Sequence, residues 1–271
     1  MKKIFFIGFF IFFIFIPSSF GENFTKIRET KPVFKTPESV LYNKTKQVIY
    51  VANINGKPTD RDGNGFISKL NIQGDLIELK FIEGLNAPKG MAVFKNYLYV
   101  ADISHLIKID LDKKKVIKKY NLNGKFLNDV DVDENGNVYV SDTAQNKIFK
   151  IEKDKEFVLI EDIRLKRPNG VKIFNNNLYI GSSQTGTIFL YEIFKQKLKK
   201  FDEGFESIDG LYISRNLILS SSWGGKLFKK SGDKIVKKKL PHKSADFGII
   251  NSQKLLVVPD FNNKLIFYKY D

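Results

Sequence analysis

The stretch PNGVKIFNNNLYIGS (168–182) decides the fold, because its pattern recurs along the chain. A polar residue, Asn169, opens a short apolar strand, asparagines make a turn, and a second alternating strand follows. Five other segments lie over it: PESVLYNKTKQVIYVAN (37–53), PKGMAVFKNYLYVAD (88–102), LNDVDVDENGNVYVSD (127–142), IDGLYISRNLILSSS (208–222) and ADFGIINSQKLLVVPD (245–260). Each unit continues into a third alternating strand, as in FISKLN (66–71), LIKIDL (106–111) and KLIFYK (264–269). Five units add a fourth, such as VIKKY (116–120) or FVLI (157–160). The opening polar residues are Glu38, Lys89, Asn128, Asn169, Asp209 and Asp246, a repeat of roughly 40 residues.

Four short strands per unit, turn residues between them and no helical period predict an all-β fold, a six-bladed β-propeller of four-stranded antiparallel blades. A β-sandwich has as many strands but no fixed period. The last unit stops at Asp271 with three strands. The segment KPVFK (31–35), ahead of the first blade, is expected to supply the fourth and close the ring, because an open propeller leaves an unpaired edge.

Ahead of the repeats, Lys2 and Lys3 precede an apolar run from residue 4 to residue 16. That run is short for a membrane span and reads as an export signal. Ser19 and Gly21 are the small residues a signal peptidase reads, so residues 1–21 are expected to be removed, leaving residues 22–271 as one propeller domain. The expected product is a monomer in the periplasm or outside the cell, free of the membrane once the signal is cleaved.

The absence of cysteine excludes disulfide scaffolds, thiolate zinc sites, iron–sulfur clusters and cysteine nucleophiles. His105 and His242 are too few for a zinc site built on several histidines, and no GxSxG elbow marks a serine hydrolase. The net charge of +15 comes from 40 Lys and only 5 Arg, spread along the chain. Nucleic-acid readers favour clustered arginine forks, so no nucleic-acid partner is expected.

In an antiparallel meander, the loops entering the first strand and those joining the second to the third share one face. The six opening residues are thus expected to ring the top of the central channel. Three carboxylates, two amides and one ammonium offer oxygen donors without sulfur or imidazole, the set a hard cation such as Ca²⁺ or Mg²⁺ selects. Lys89 is expected either to pair with Asp246 or to crowd that cation. The long loop NINGKPTDRDGNG (53–65) carries Asp60, Asp62 and Asn64 in the spacing of an EF-hand calcium loop, with Asn71 where the bidentate glutamate belongs. It reads as a second calcium loop or as a plain Asp/Gly turn, and in either case as a rim over the ring. His105, His242 and Trp223 fall in loops on the same face. Asp102, Asp142 and Asp260 close second strands and read as loop-fixing hydrogen bonders.

Pro37-Glu38-Ser39-Val40, Phe126-Leu127-Asn128-Asp129, Pro168-Asn169-Gly170-Val171 and Ile208-Asp209-Gly210-Leu211 resemble motifs of the gluconolactonase, regucalcin and luciferin-regenerating-enzyme family of six-bladed propellers. The resemblance spans the whole mature chain. It implies one divalent cation, Ca²⁺ first and Mg²⁺, Mn²⁺ or Zn²⁺ as alternatives, held by Glu38, Asn169 and Asp209. It also implies a substrate contact from Asn128, with Asp209 as general base. Lys89 and Asp246 complete the expected substrate-binding set. The implied activity is hydrolysis of a lactone or small ester, and the implied partner is a small molecule. Phe126 stands where the family lactonases carry an arginine. Repeats such as NVYVSDTAQNKIFKI (137–151) also resemble NHL-type repeats, which implies the alternative of a non-catalytic binding propeller.

Overall fold

In the computed structural model, residues 24–270 are described. They form strands numbered β1–β24 in chain order, gathered into six four-stranded antiparallel sheets. Blade one runs from β2 (Pro37–Asn43) to β5 (Leu76–Leu85), and blade two from β6 (Pro88–Phe94) to β9 (Lys115–Asn121). Blades three, four and five open with β10 (Leu127–Val132), β14 (Pro168–Phe174) and β18 (Ile208–Ile213). Blade six has β22 (Gly248–Ile250) innermost and β24 (Lys264–Tyr270) towards the outside. The opening strands pack against one another around a central channel.

Burial falls from the axis outward and explains the sequence pattern. The first four residues of β2, β10, β14 and β18 are buried, whereas outer strands such as β9 alternate and carry lysines on the wet face. The core lies between blades. Tyr50, Ile67 and Phe81 of blade one pack with Met91, Val100 and Ile107 of blade two, and the same arrangement recurs around the ring. Each such side chain contributes about 1.5–3 kcal/mol by leaving water, so the blades hold one another in place.

The ring is closed by an N-terminal strand, but not by the segment expected. β1 (Phe24–Glu29) pairs antiparallel with β24, from Phe24 opposite Tyr270 to Glu29 opposite Ile266. KPVFK (31–35) is not a strand. Pro32 has no N–H for a ladder, and Phe34 is instead buried with Val40, Ile49, Val257 and Phe267. Arg28 of β1 lies 4.0 Å over the Phe267 ring and donates to the Ile72 and Gln73 carbonyls, tying blade six to blade one. The expected signal segment, residues 1–21, lies outside the described residues. Among the described residues no helix is long and apolar enough to cross a membrane.

Candidate functional site

In each of the five opening strands from β2 to β18 the ladder slips at the ring residue. The register breaks between Pro37 and Ser39, Pro88 and Met91, Leu127 and Val130, Pro168 and Val171, and Ile208 and Leu211. A bulge frees two consecutive residues from the alternation and re-aims their side chains. Here the first freed residue of each strand faces one end of the channel, and in blade three the second, Asp129, faces the other.

At the top end Glu38, Lys89, Asn128, Asn169 and Asp209 line a single cavity of about 310 Å³, together with Ile54, Pro58, Phe126, Thr143, Arg167, Ser183, Ser207 and Trp223. Five of the six expected ring residues therefore meet. The sixth, Asp246, does not. It lines a separate pocket of about 210 Å³ with Asp129, Asp131 and Lys172. Gly248 pairs with Val257, which puts Asp246 in the place that Asp129 holds in blade three and leaves Ala245 at the ring position. The hydrogen bonds agree: Asp129 Oδ1 accepts from Val130 N and Asp246 Oδ1 from Phe247 N, each from the next residue. The hairpin of blade six differs in length from its counterparts, which hid the one-residue offset.

The top carboxylates are in electrostatic trouble. Glu38, Asn169 and Asp209 are buried, and Glu38 Oε2, Asn169 Oδ1 and Asp209 Oδ1 have no hydrogen-bond partner. Burial, then the neighbouring Asp209 charge, pushes the Glu38 carboxyl well above the usual carboxylate range. Burial and Asp246 push Asp209 up to about 8, and the Asn169 side chain offsets part of that rise. Three orphaned oxygens on one cavity, two of them carboxylate, form a donor set that fits a hard divalent cation, which would restore both carboxylates to their ionised form. Among the described residues no three His, Cys, Asp or Glu side chains gather as a metal cluster, so the amide of Asn169 is a necessary part of this set.

Lys89 is 1% exposed and does not pair with Asp246. Its ammonium donates to the Pro58 and Ala87 carbonyls, each at 3.0 Å, and stands 4.7 Å from the Phe126 ring centroid. Burial lowers its pKa, and Glu38 and Asp102 oppose that shift. Through Pro58 it holds the 53–65 loop over the cavity as a rim. The oxygens of that loop are engaged internally: Asp60 accepts from Lys57 N, and Asp62 accepts from both the backbone and side-chain nitrogens of Asn64. Asn128 is oriented by Thr143 Oγ1 at 3.3 Å, and Thr143 in turn donates to the Pro168 carbonyl of the next blade. Asn128 and Lys89 thus reach the cavity as expected, and Asp246 does not.

Trp223 both lines the cavity and stacks edge-on against Phe261 of blade six, centroids 4.6 Å apart. Neither histidine lines it. His105 lies against Ser104 Oγ, and His242 Nδ1 against the Lys243 carbonyl. Asp102, Asp142 and Asp260 hold loops as expected, accepting from backbone amides of Asn86 and Ala87, of Lys125 and Ala144, and of Asn262. Arg167 was missed by sequence reasoning, because only its place before the Pro168 strand would have marked it.

No family model matches the sequence, and no curated protein matches it. Solved structures do match. A gluconolactonase from Xanthomonas campestris aligns at 14% identity, over 89% of this chain and 88% of its own, with a TM-score of 0.65. Virginiamycin B lyase from Staphylococcus aureus, a catalytically inactive form with quinupristin, aligns at 12% identity over 92% and 99%, TM-score 0.64. A nidogen/laminin complex gives 15% identity over 76% and 81%, TM-score 0.62. The likeness establishes a six-bladed propeller. At such identities a shared fold carries no activity with it.

Proposed function

We propose that this protein is an exported, divalent-metal-dependent hydrolase that opens a lactone or cleaves a small ester in the top cavity. The observation that carries the reading is the set of three buried, unpartnered oxygens of Glu38, Asn169 and Asp209 lining one small cavity. The gluconolactonase and lyase among the structural neighbours support a catalytic propeller, and the N-terminal signal pattern supports periplasmic or extracellular residence.

Glu38, Asn169 and Asp209 would hold the cation, calcium by the hardness of the donors, with Mg²⁺, Mn²⁺ or Zn²⁺ as alternatives. When bound, it would polarise the scissile carbonyl and offset negative charge developing on its oxygen. Asp209 would accept a proton from water. The water oxygen bonds to the carbonyl carbon, the acyl carbon–oxygen bond breaks, and the proton ends on the departing alkoxide, giving a hydroxy acid from a lactone. Asn128 orients the substrate's polar atoms, and the 53–65 rim limits water.

The test is calcium and manganese titration of the mature chain by calorimetry, with Glu38→Gln and Asp209→Asn, beside a lactone and ester hydrolysis screen. Binding to the wild type that both variants lose, with turnover, is the expected result. No binding and no turnover would leave the second reading, a ligand-binding propeller without chemistry. The buried ammonium of Lys89 in the ring favours that reading, because it repels a cation.

A further inference from the structure

Lys89 is an unusual group to find buried beneath the rim of this cavity. Removing an ammonium from water is costly unless an anion meets it. The bonds of Lys89 go to two neutral carbonyls and to the face of Phe126. Those bonds take two of its three N–H groups, and among the described residues no carboxylate lies within ion-pair distance of it. Arg167, exposed at the same cavity, is held by Asn146 through its backbone N–H, while its guanidinium has no partner among the described residues.

Charge bookkeeping points the same way. Glu38 and Asp209 together neutralise a divalent cation, which leaves Asp102 as the one carboxylate that acts on Lys89, from beyond ion-pair distance and with its oxygens taken by the Asn86 and Ala87 amides. A buried ammonium with no direct anionic contact is complementary to a substrate anion. Trp223, Phe126 and Ile54 offer the apolar wall for the rest of the molecule.

We propose that the cavity takes an anionic substrate, a lactone or small ester bearing a carboxylate that is met by the Lys89 ammonium inside and the Arg167 guanidinium at the mouth. As a statement about substrate, it rests on the hydrolase reading; the anion site itself can be tested without turnover.

Two matched pairs of probes test it on the mature protein. For hydrolysis, γ-butyrolactone carrying a carboxylate beside the ring oxygen is compared with γ-valerolactone, where methyl replaces carboxylate. For binding, tetrahydrofuran carboxylate, which has no scissile carbonyl, is compared with methyltetrahydrofuran, read by quenching of Trp223, the chain's one tryptophan. The expected preference for the carboxylate is about tenfold, the size of one charge-assisted contact in a desolvated site. Lys89→Met should erase it, Lys89→Arg should retain it, and Arg167→Gln, at an exposed position that folding tolerates, should reduce it by roughly threefold. A Lys89-dependent binding preference without hydrolysis of either lactone upholds the anion site and sinks the hydrolase reading. Equal hydrolysis of both lactones, with no Lys89-dependent binding, overturns the anionic substrate and leaves the hydrolase. Neither hydrolysis nor preferential binding overturns both.

Discussion

The two ends of the central channel both hold carboxylates, drawn from different blades, with Asn128 and Asp129 of one strand reaching opposite ends. At the lower end every one of them is satisfied. Asp129 accepts from Val130 N and, across the blade boundary, from Val171 N at 2.7 Å. Asp131 accepts from Ile173 N and pairs with Lys172, and Asp246 accepts from Phe247 N and Ser39 Oγ. These carboxylates stitch blade three to blade four and blade six to blade one. At the upper end Glu38, Asn169 and Asp209 each leave a buried oxygen unpartnered. Burial and acidity are common to both ends, so neither distinguishes structure from function. The hydrogen-bond account does, because a buried carboxylate oxygen without a protein partner calls for a compensating water, ion or ligand.

The largest effect expected from this contrast is on chemistry. Asp209→Asn should lower turnover by about 10²–10⁴-fold and abolish cation binding, while the chelator-treated variant melts no lower than wild type at neutral pH, since the Asp209 carboxyl, raised to about 8, is already protonated there and Asn is a neutral replacement of the same shape. A variant that melts much lower would show that Asp209 belongs with the structural set. Asp129→Ala should do the reverse, orphaning the Val130 and Val171 amides at a cost of about 2–4 kcal/mol in urea unfolding with calcium affinity unchanged. Calcium binding lost along with stability would merge the two ends into one site. A smaller loss, about 1–3 kcal/mol, is expected from Gly210→Ala. A Cβ there would stand 2.5 Å from Asp246 Oδ1, so the glycine of blade five makes room for the stitching carboxylate of blade six.

The sequence was readable wherever period and polarity coincided. Six strand pairs with polar openings sufficed for the propeller and for five cavity residues, because a bulge at an equivalent place in blades one to five sends equivalent side chains to one cavity. It misled where one residue of offset mattered. Asp246 carries the polar character expected of the ring, yet β22 is only three residues long and the hairpin after it sets the register, so Ala245 takes the ring position. Closure was anticipated but not its segment, since Phe34 is apolar enough to resemble a strand residue and turns out to be interblade core. Which buried carboxylates are partnered was invisible, because Val171 N and Ser39 Oγ reach their acceptors across blade boundaries that no single repeat contains.

The finest distinction between the two ends is in proton linkage, with an effect of at most about 1.4 kcal/mol per pH unit for each group. Asp209 is raised from an ordinary 3.8 to about 8, and Asp246 from 3.8 to about 6. In both cases the folded chain retains a proton that the unfolded chain has released, so stability is greatest below the ordinary value and declines as pH rises through the folded one. Chelator-treated protein should therefore lose stability steadily from about pH 4 to pH 8, with Asp209 still contributing above about pH 7, where Asp246 is largely ionised. Saturating calcium should flatten the upper part of that decline, because the cation binds the ionised top carboxylates and is held more tightly as they lose protons. The part owed to Asp129 and Asp246 should persist, since their oxygens are committed to amides and to Ser39. Urea midpoints taken across this range with and without calcium separate the contributions. A decline that calcium leaves untouched between about pH 7 and pH 8 would mean that the top carboxylates are as structural as the lower ones.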